Sequence, residues 1–406
     1  MTRNASPDPV LRELMARAGS AGLSRRTFLG LLGAAGSAAA LAACGTGGGT
    51  AASSSGPAAG TGGKAGTLRW ANWTLYIDLA DDHVTSPTLK AFQKSSGLTV
   101  EYSEDIDDND SFYGKVKGQL ANGQDIGYDL VTLTDWMAAR WVRQGYTATL
   151  DRSAMPNTSN ILPNLANVDY DPGRTHSLTW QSGFGGIAWA KDAVPGGLAT
   201  VSDLWKPELK GRVEVLSEMR DTIGLIMFDQ GVNPASDSWG DTEFENALDV
   251  LKAQIANGQI RSVKGNSYKE DLVSGDAVAV IGWSGDIQQL NFENDDKFTF
   301  AIPEAGGTLW SDNLMVPITS GQVTDAQKLI DYYYDPEVAA TVAAYVNYIT
   351  PVQGAKQAME KVDPTLVDNE LIFPSEATLS KVAMFRTLTT DEETKYNNQF
   401  LDAIGA

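Results

Sequence analysis

Aromatic and acidic side chains recur where predicted strands give way to loops. Because ligands of open α/β sheets bind at the carboxyl ends of strands, these side chains are candidates for a binding site. An aromatic face attracts an ammonium group by ~0.5–2 kcal/mol, and a carboxylate bonded to it adds ~1.5–3 kcal/mol. Such a cleft suits an organic amine, and it also suits a sugar that stacks on tryptophan, so residue chemistry leaves both open. The strand exits concerned are Trp73-Thr74-Leu75-Tyr76, Thr134-Asp135-Trp136, Ser217-Glu218-Met219-Arg220-Asp221 and Trp283.

Residues typical of covalent or metal chemistry are scarce. The two histidines, His83 and His176, have no metal-ligand spacing, and the sequence has no Gly-Lys-Ser/Thr phosphate loop or Gly-x-Ser-x-Gly elbow. Tyr332-Tyr333-Tyr334 are helical neighbours that point in different directions, which argues against an iron site. We therefore expect no cofactor, no metal and no enzymatic activity. A carboxylate-pair hydrolase stays open as an alternative because acids are plentiful.

The elements that position these residues alternate between strand and helix. This alternation predicts an α/β fold with mostly parallel strands. Gly97 is the expected stop of the first helix, and Asp135 and Thr324 are the expected N-caps of two later helices. The predicted strands cover 68–73, 98–102, 128–133, 211–216 and 277–282; the predicted helices cover 88–96, 112–121, the residues after 135, those from about 218, 247–256, 324–334 and 336–346.

The N-terminus has the pattern of an export signal. Arg25-Arg26, followed by Phe28-Leu29, resembles a twin-arginine signal, and small residues precede Cys44. The alternative is a transmembrane anchor, but the apolar run is shorter than the ~20 residues that a membrane span needs. We expect a signal peptide over residues 1–43.

Cys44 is the single cysteine of the chain, so no disulfide can form within it. Leu41-Ala42-Ala43-Cys44 resembles a bacterial lipobox, whose cysteine receives a diacylglycerol and becomes the new N-terminus. Residues 45–63 hold only Gly, Ala, Ser, Thr and one Pro, a composition typical of a flexible coil. We expect an extracytoplasmic or periplasmic lipoprotein, anchored to the outer face of the cell membrane by a tether over residues 44–66.

The chain is strongly acidic, with a formal net charge of −20. Residues 1–43 carry five arginines and two acids, so the remainder carries 26 basic and 49 acidic groups, a net −23. This balance repels nucleic acid and mildly favours cations near the surface. We expect no nucleic-acid partner; the acidity is also explained by solubility alone.

Several motifs, in this order along residues 67–355, resemble the spermidine/putrescine-binding proteins of polyamine ABC importers. The Leu-Trp-Lys-Pro segment is shared with wider solute-binding relatives and supports the fold, whereas the segment near residue 310 is more specific to this ligand class. The matching stretches are Asn72-Trp73-Thr74 with Tyr76, Tyr128-Asp129-Leu130-Val131, Asp203-Leu204-Trp205-Lys206-Pro207-Glu208, Lys210-Gly211, Trp310-Ser311-Asp312-Asn313-Leu314 and Asp335-Pro336-Glu337-Val338-Ala339.

The resemblance implies a two-lobed fold of the type II periplasmic-binding-protein kind, with two mixed sheets flanked by helices and a hinged cleft. It places lobe 1 over residues 67–181 plus 311–356 and lobe 2 over 182–310 plus 357–406. The chain would cross between lobes near Ser182, Ser311 and Lys356. The implied partners are a small organic amine and an ABC permease with its ATPase, and the implied state is a monomer.

The resemblance also implies which residues line the cleft. The indoles would stack on the ligand, and the acids would hold its amine. The implied ligand-binding residues are Trp73, Thr74, Tyr76, Thr134, Trp136, Glu218, Asp221, Trp283, Trp310, Asp312 and Tyr348.

This sequence differs from the family at two positions, and several candidate residues could have a purely structural role, so alternatives stay open. Leu75 stands where the family has an acid, for which Asp135 or Asp78 would have to compensate, and Arg386 falls near a polar amide contact. An arginine there favours a carboxylate, so an amino-acid-like ligand or an aminoalkylphosphonate remains an alternative to a polyamine. A sugar that stacks on the tryptophans remains another. The plainer role of the acids near residue 220 is to complement a helix N-terminus, that of Thr134 is to cap a helix, and that of the tryptophans is to fill the core.

Overall fold

The computed structural model describes residues 66–405. The predicted signal peptide, Cys44 and nearly all of the predicted tether lie outside the described residues. Within them, strands and helices alternate along the chain as an α/β fold. The strands are β1 (Thr67–Trp73), β2 (Thr99–Ile106), β3 (Leu130–Thr134), β4 (Leu178–Ala190), β5 (Val213–Leu216), β6 (Ile260–Lys264), β7 (Ala279–Trp283), β8 (Phe298–Ala301), β9 (Gly307–Met315) and β10 (Val382–Ala383).

Twelve α-helices connect and cover these strands in the described part of the chain. Short 3-10 turns, such as Val201–Trp205, occupy several of the longer connections. The helices are α1 (Pro87–Ser96), α2 (Asn109–Ala121), α3 (Asp135–Arg143), α4 (Met219–Asp229), α5 (Asp241–Ala256), α6 (Tyr268–Ser274), α7 (Ser284–Glu293), α8 (Val323–Tyr333), α9 (Pro336–Val346), α10 (Ala355–Val362), α11 (Glu376–Leu379) and α12 (Thr390–Ile404).

The strands pair into one mixed sheet in the order β2-β1-β3-β9-β4-β7-β5-β6, with β8 beside β4 and β10 beside β9. Pairing is parallel on both flanks, among β1, β2 and β3 and among β5, β6 and β7. It is antiparallel through the centre, where β3, β9, β4 and β7 meet. The two sheets expected from the resemblance are thus joined, because the long strands β4 and β9 pair with each other and serve both halves.

The predicted crossing points on these two central strands lie side by side. Ser182 of β4 is in register with Ser311 of β9, and their hydroxyl oxygens are 2.7 Å apart. Ser182 also forms a backbone bridge to Ile349 in the loop after α9. The lobe boundaries themselves stay a prediction.

Most predicted elements are present, and the differences lie at their ends. Gly97 ends α1 in the left-handed conformation, at φ 73°, as predicted. The predicted N-caps were wrong: Thr134 and Gln322 occupy the cap positions, and Asp135 and Thr324 lie inside the first turns of α3 and α8. The long glycine-bearing strand β4 and the strands β6, β8, β9 and β10 had no counterpart among the predicted strands.

Three of the predicted strands, β3, β5 and β7, are buried along their whole length, which explains why their local sequence pattern identified them. All residues of β3, β5 and β7 are buried, as expected for parallel strands covered on both faces by helices. Among residues 66–405, none of the helices combines the length and hydropathy needed to span a bilayer.

A buried arginine fastens the central strands to the preceding loop. Arg174 is 1% exposed, and its guanidinium donates to the carbonyl of Leu165 at 2.7 Å, to Asn313 Oδ1 on β9 at 2.9 Å and to Thr179 Oγ1 on β4 at 2.9 Å. Removing a partner from buried polar groups costs about 1–3 kcal/mol for each group left unpaired. Arg174 therefore stabilises the junction of β4, β9 and this loop.

We predict that Arg174→Met lowers the free energy of unfolding by about 3 kcal/mol or more, because several buried acceptors lose their donor. Chemical denaturation of the mature chain measures this difference. Arg212→Met is the matched control, since the Arg212 guanidinium donates to the Gly275 carbonyl near the surface. Equal unfolding midpoints for the two variants would contradict the assigned role of Arg174.

Candidate functional site

Ten of the eleven predicted ligand-binding residues line one cavity, which we call the inner cavity. It encloses about 380 Å³ of space free of atoms, with open solvent at its mouth included. Trp136 is the exception and lines a neighbouring cavity. The inner cavity is lined by Trp73, Thr74, Tyr76, Thr134, Glu218, Asp221, Asn266, Trp283, Asp286, Trp310, Asp312 and Tyr348.

The aromatic residues of the inner cavity form a continuous series of edge-to-face contacts. The ring centroids of Tyr76 and Tyr348 are 5.3 Å apart, and those of Tyr348 and Trp310 are 5.2 Å apart. Trp283 continues the series, at 6.3 Å from Trp310 and 6.1 Å from Trp73. Such walls give an ammonium group several π-faces and edges at once.

Glycines make room for these rings. Gly183 on β4 is in register with Trp310, and a Cβ there would lie 2.5 Å from the indole. A Cβ at Gly285, in the first turn of α7, would lie 2.6 Å from the Tyr348 ring. Both distances are shorter than carbon atoms tolerate, so any larger residue would displace a wall of the inner cavity.

Asp312 lies on β9 opposite Thr134 of β3, and the Thr134 hydroxyl donates to its Oδ1 at 2.7 Å. The carboxyl is 4% exposed, and burial raises its pKa to about 7. The nearby Tyr76 hydroxyl lowers the pKa of this carboxyl and so offsets part of the effect of burial. Thr134 occupies the N-cap position of α3 without a side-chain cap bond, so its hydroxyl serves Asp312 and not the helix.

Glu218 and Asp221 stand at the start of α4, after β5. Glu218 makes no side-chain cap bond there; it accepts from Asn109 Nδ2 at 2.9 Å. Asp221 accepts from the Trp283 indole at 2.8 Å and from the Thr308 hydroxyl. Burial raises the pKa of both carboxyls, most strongly that of Glu218. Complementing the helix N-terminus therefore does not account for where these side chains lie.

Sequence reasoning missed two lining residues, Asp286 and Asn266. Asp286 accepts from the hydroxyls of Tyr348 and Tyr268, each at 3.0 Å, and pairs with Lys269 at 3.3 Å. It lies in the first turn of the helix that follows Trp283, the same exit pattern that identified Asp221. Searching one helical turn beyond each strand end would have identified Asp286. No sequence feature distinguishes Asn266.

Among the described residues, the charged side chains that line the inner cavity are all acidic. Its lining holds four carboxyl groups and neither lysine nor arginine. Within residues 66–405, Asp286 has an ion-pair partner in Lys269, whereas Glu218, Asp221 and Asp312 have none within 4 Å. The walls therefore offer buried, unneutralised acceptors between aromatic rings, which is the complement of an organic cation.

The residues proposed to compensate for Leu75 do not lie in the inner cavity. Leu75 has a left-handed backbone, at φ 57°, and its carbonyl accepts from Gln289 Nε2 at 2.9 Å. Asp78 is occupied at the start of α1, where it accepts from Ser86 and from the Thr88 amide. Asp78 therefore has its oxygens engaged at the start of α1 and does not line the inner cavity.

A second cavity, which we call the outer cavity, shares Thr134, Glu218, Asp221 and Trp310 with the inner one. It has about 1230 Å³ of atom-free space, open solvent included. Its further lining residues are Asp135, Trp136, Ala139, Arg143, Asn167, Val168, Asp169, Tyr170, Arg220, Thr308, Leu309, Met384, Phe385, Arg386, Thr387, Leu388 and Glu393.

Arg386 reaches the outer cavity with its charge partly balanced. Its guanidinium bonds to Glu392 at 2.6 Å and stacks over Trp239 at 3.9 Å from the ring centroid. Asp135 also lines this cavity, and burial raises its pKa to about 6. The structure thus places both residues beside the inner cavity and not within it.

No cluster of three or more His, Cys, Asp or Glu residues in the described part of the chain suits a metal ion. The neighbouring tyrosines of α8 diverge, since the Tyr332 hydroxyl donates to the Thr88 carbonyl and the Tyr334 hydroxyl to the Thr179 carbonyl. They do not converge on a shared site.

Comparison with known proteins places this geometry in a family. Residues 88–373 match the model of the bacterial extracellular solute-binding proteins. The chain is 27% identical over 306 residues to the spermidine/putrescine-binding periplasmic protein 1 of Haemophilus influenzae. The aligned region covers 75% of this chain and 82% of that protein. It is 26% identical over 314 residues to the spermidine/putrescine-binding periplasmic protein of Escherichia coli, covering 77% and 84%.

Solved structures agree on the fold. A spermidine/putrescine ABC transporter substrate-binding protein from Streptococcus pneumoniae superposes with a TM-score of 0.65 at 24% identity, over 83% of this chain and 98% of that one. The fold is therefore that of the periplasmic binding proteins, as the motifs predicted. The chain belongs to the family of bacterial extracellular solute-binding proteins.

Proposed function

We propose that this protein is the extracytoplasmic solute-binding component of an ABC importer and that it holds a polyamine or a related small organic amine in the inner cavity. The observation that carries this proposal is the set of buried carboxyl groups without a cation, Glu218, Asp221 and Asp312, held between indole rings. The names of the relatives supply independent support for the polyamine class.

The mechanism follows from the cost of those carboxyl groups. An ammonium ligand would bond to Asp312, Glu218 and Asp221, each charge-assisted bond contributing ~1.5–3 kcal/mol, while Trp73, Trp283 and Trp310 enclose its methylene chain. A sugar would leave these buried carboxyl groups to take up protons, whereas an ammonium group forms ion pairs with them, which favours the amine.

Closure and delivery follow from contacts on both sides of the cleft. A ligand shifts a conformational balance only by its differential affinity, so an amine that touches both proposed lobes favours the closed form. The closed form would then dock on a membrane permease whose ATPase supplies the energy. This protein would act as a monomer and perform no covalent chemistry.

We further propose that the chain is exported by the twin-arginine route and anchored through Cys44. The support is the order of the N-terminal features, in which Arg25-Arg26, an apolar run, Leu41-Ala42-Ala43-Cys44 and a Gly/Ser/Ala-rich tether follow one another. Export of this kind accords with membership in an extracellular family.

We predict that Asp312→Asn weakens binding of spermidine or putrescine about tenfold or more, because one charge-assisted bond in a desolvated cavity is lost. Isothermal titration of the mature chain measures the dissociation constant. The fold should survive, since asparagine still accepts from Thr134 and a buried charge is removed. Asp296→Asn, at an exposed pair with Lys191, is the control. Unchanged affinity in the Asp312 variant would remove this residue from the site.

Amine binding should weaken as pH falls from 8 to 6. The Asp312 pKa is raised to about 7 without ligand, so below that pH the carboxyl must release a proton before it pairs with an ammonium group. The apparent affinity then falls by up to about tenfold per pH unit for each such group. Calorimetry in two buffers of different ionisation enthalpy would detect the proton release. An equally steep profile in the Asp312→Asn variant would assign the effect to another group.

Cys44→Ser should move the protein from the membrane pellet to the released fraction of cells, because serine cannot accept the thioether-linked diacylglycerol. Fractionation with immunoblotting, together with intact-mass measurement of the N-terminal peptide, checks this. Ser54→Ala, within the tether, is the control and should remain in the pellet. Retention of the Cys44 variant in the pellet would show that anchoring does not depend on lipidation.

A further inference from the structure

Within residues 66–405, the walls of the outer cavity carry buried hydrogen-bond donors that have no partner. These are Trp136 Nε1, Arg220 Nη1, Arg386 Nε and, on the wall shared with the inner cavity, Trp310 Nε1. Among the described residues that line this cavity, the buried side-chain atoms without a partner are all N–H donors. A buried donor left unpaired is destabilising, and an ammonium group cannot relieve it, because ammonium only donates.

Guanidinium groups also outnumber their partners here. Glu393 of α12 is the shared partner of Arg140 at 3.2 Å, Arg143 at 2.5 Å and Arg220 at 3.5 Å. Arg140 has a second partner in Asp110, at 3.0 Å, so three guanidinium groups face two carboxylates. Glu393 is 6% exposed and has no further capacity to balance an approaching cation.

Arg220 is the best-placed of these groups to recognise a ligand. It is 9% exposed, and its guanidinium stacks on Trp136 with 4.1 Å between Cζ and the ring centroid. Stacking fixes the plane of the fork in which its N–H groups point. A fixed fork with an unpaired Nη1 matches the planar geometry of a carboxylate.

The acids of the outer cavity do not reverse this conclusion. Glu218 and Asp221 belong to the wall shared with the inner cavity, where the amine end of the ligand would pair with them. Asp169 is exposed at the margin, and Asp135 accepts from the Trp136 backbone amide at 2.7 Å.

We propose that the outer cavity receives the carboxylate end of a ligand whose amine end lies in the inner cavity, so that the transported solute is an ω-amino acid and not a symmetric diamine. This inference rests on the proposed amine-binding function and narrows its ligand class. Within the described residues, three carboxyl groups without a cation line the inner cavity and unpaired N–H donors line the outer one, and a zwitterionic chain satisfies both.

Titration of the mature chain with matched ligand series tests the proposal. One series contains 4-aminobutanoate, 6-aminohexanoate and 8-aminooctanoate; the other contains the α,ω-diamines with the same numbers of carbons; N-acetyl-1,4-diaminobutane offers a neutral acceptor. We expect the ω-amino acid of best-fitting length to bind at least tenfold more tightly than the diamine of that length, with the acetylated amine weaker than the amino acid.

The possible outcomes separate the two proposals. Diamines that bind as tightly as the amino acids at every length would overturn the carboxylate subsite and leave amine binding intact. Tighter binding of the acetylated amine would replace the carboxylate by a neutral acceptor and so overturn the proposal. If no compound carrying an amine binds, the proposed function fails and this inference falls with it.

Two variants at the far end sharpen the test. Arg386→Gln should weaken ω-amino acid binding at least tenfold and strengthen diamine binding, because a like charge is removed. Glu392→Gln should strengthen ω-amino acid binding several-fold by freeing Arg386, and glutamine can still serve the capping box that starts α12. Arg261→Gln, on β6 and paired with Glu214 and Asp271, is the charge-matched control. Parallel shifts of both ligand series in either variant would contradict the subsite.

Discussion

The site depends on carboxyl groups that are buried without a cation. Removing an ionised carboxylate from water costs several kcal/mol unless it is paired or takes up a proton. The raised pKa values of Asp312, Asp221 and Glu218 are the direct expression of that cost. A chain that keeps such groups among indole rings gives up stability in the empty state, and a bound cation would offset the loss. The stability that the empty protein loses by burying these carboxyl groups would therefore contribute to the affinity for a cation.

The central strands β4 and β9 make this arrangement possible. Their register sets Asp312 opposite Thr134 on one side, and it sets Gly183 opposite Trp310 on the other. Gly185 is in register with Trp283, so a glycine of β4 stands beside each of two cavity indoles. Close packing leaves no alternative there, since interiors have few voids larger than a water molecule. Strand pairing thus fixes the walls that Asp312, Trp310 and Trp283 form.

Sequence reasoning found what depends on local order. A carboxyl or an indole just past a strand end, such as Trp73 or Asp221, can be located from the chain itself, and so can the buried flanking strands. It missed Asp286, whose partner Tyr348 lies 62 residues away, and the glycines of β4, whose purpose appears only against rings from distant elements. It also left the role of Asp78 open, because a carboxyl can cap a helix or bind a ligand and only its neighbours decide between them. Hydrogen-bond satisfaction is a property of tertiary contacts, so the unpaired donors of Trp136, Arg220 and Arg386 were beyond its reach.

In the part of the chain that the structure describes, the inner cavity presents carboxyl groups without a cation, and the outer cavity presents N–H donors without an acceptor. The wall that the two cavities share would make the site selective for a ligand with an amine at one end and an acceptor at the other. Asp221 and Trp310 lie on the wall, one presenting an acceptor and the other an unpaired donor. A site built to bond a particular polar group rejects a ligand lacking it more strongly than an apolar pocket does, because its own buried groups then stay unpaired. In the proposed complex, the amine end of the ligand would lie toward the carboxyl groups and its acceptor end toward the guanidinium groups. The two cavities, and not the proposed closure of the lobes, would therefore set the orientation of such a ligand.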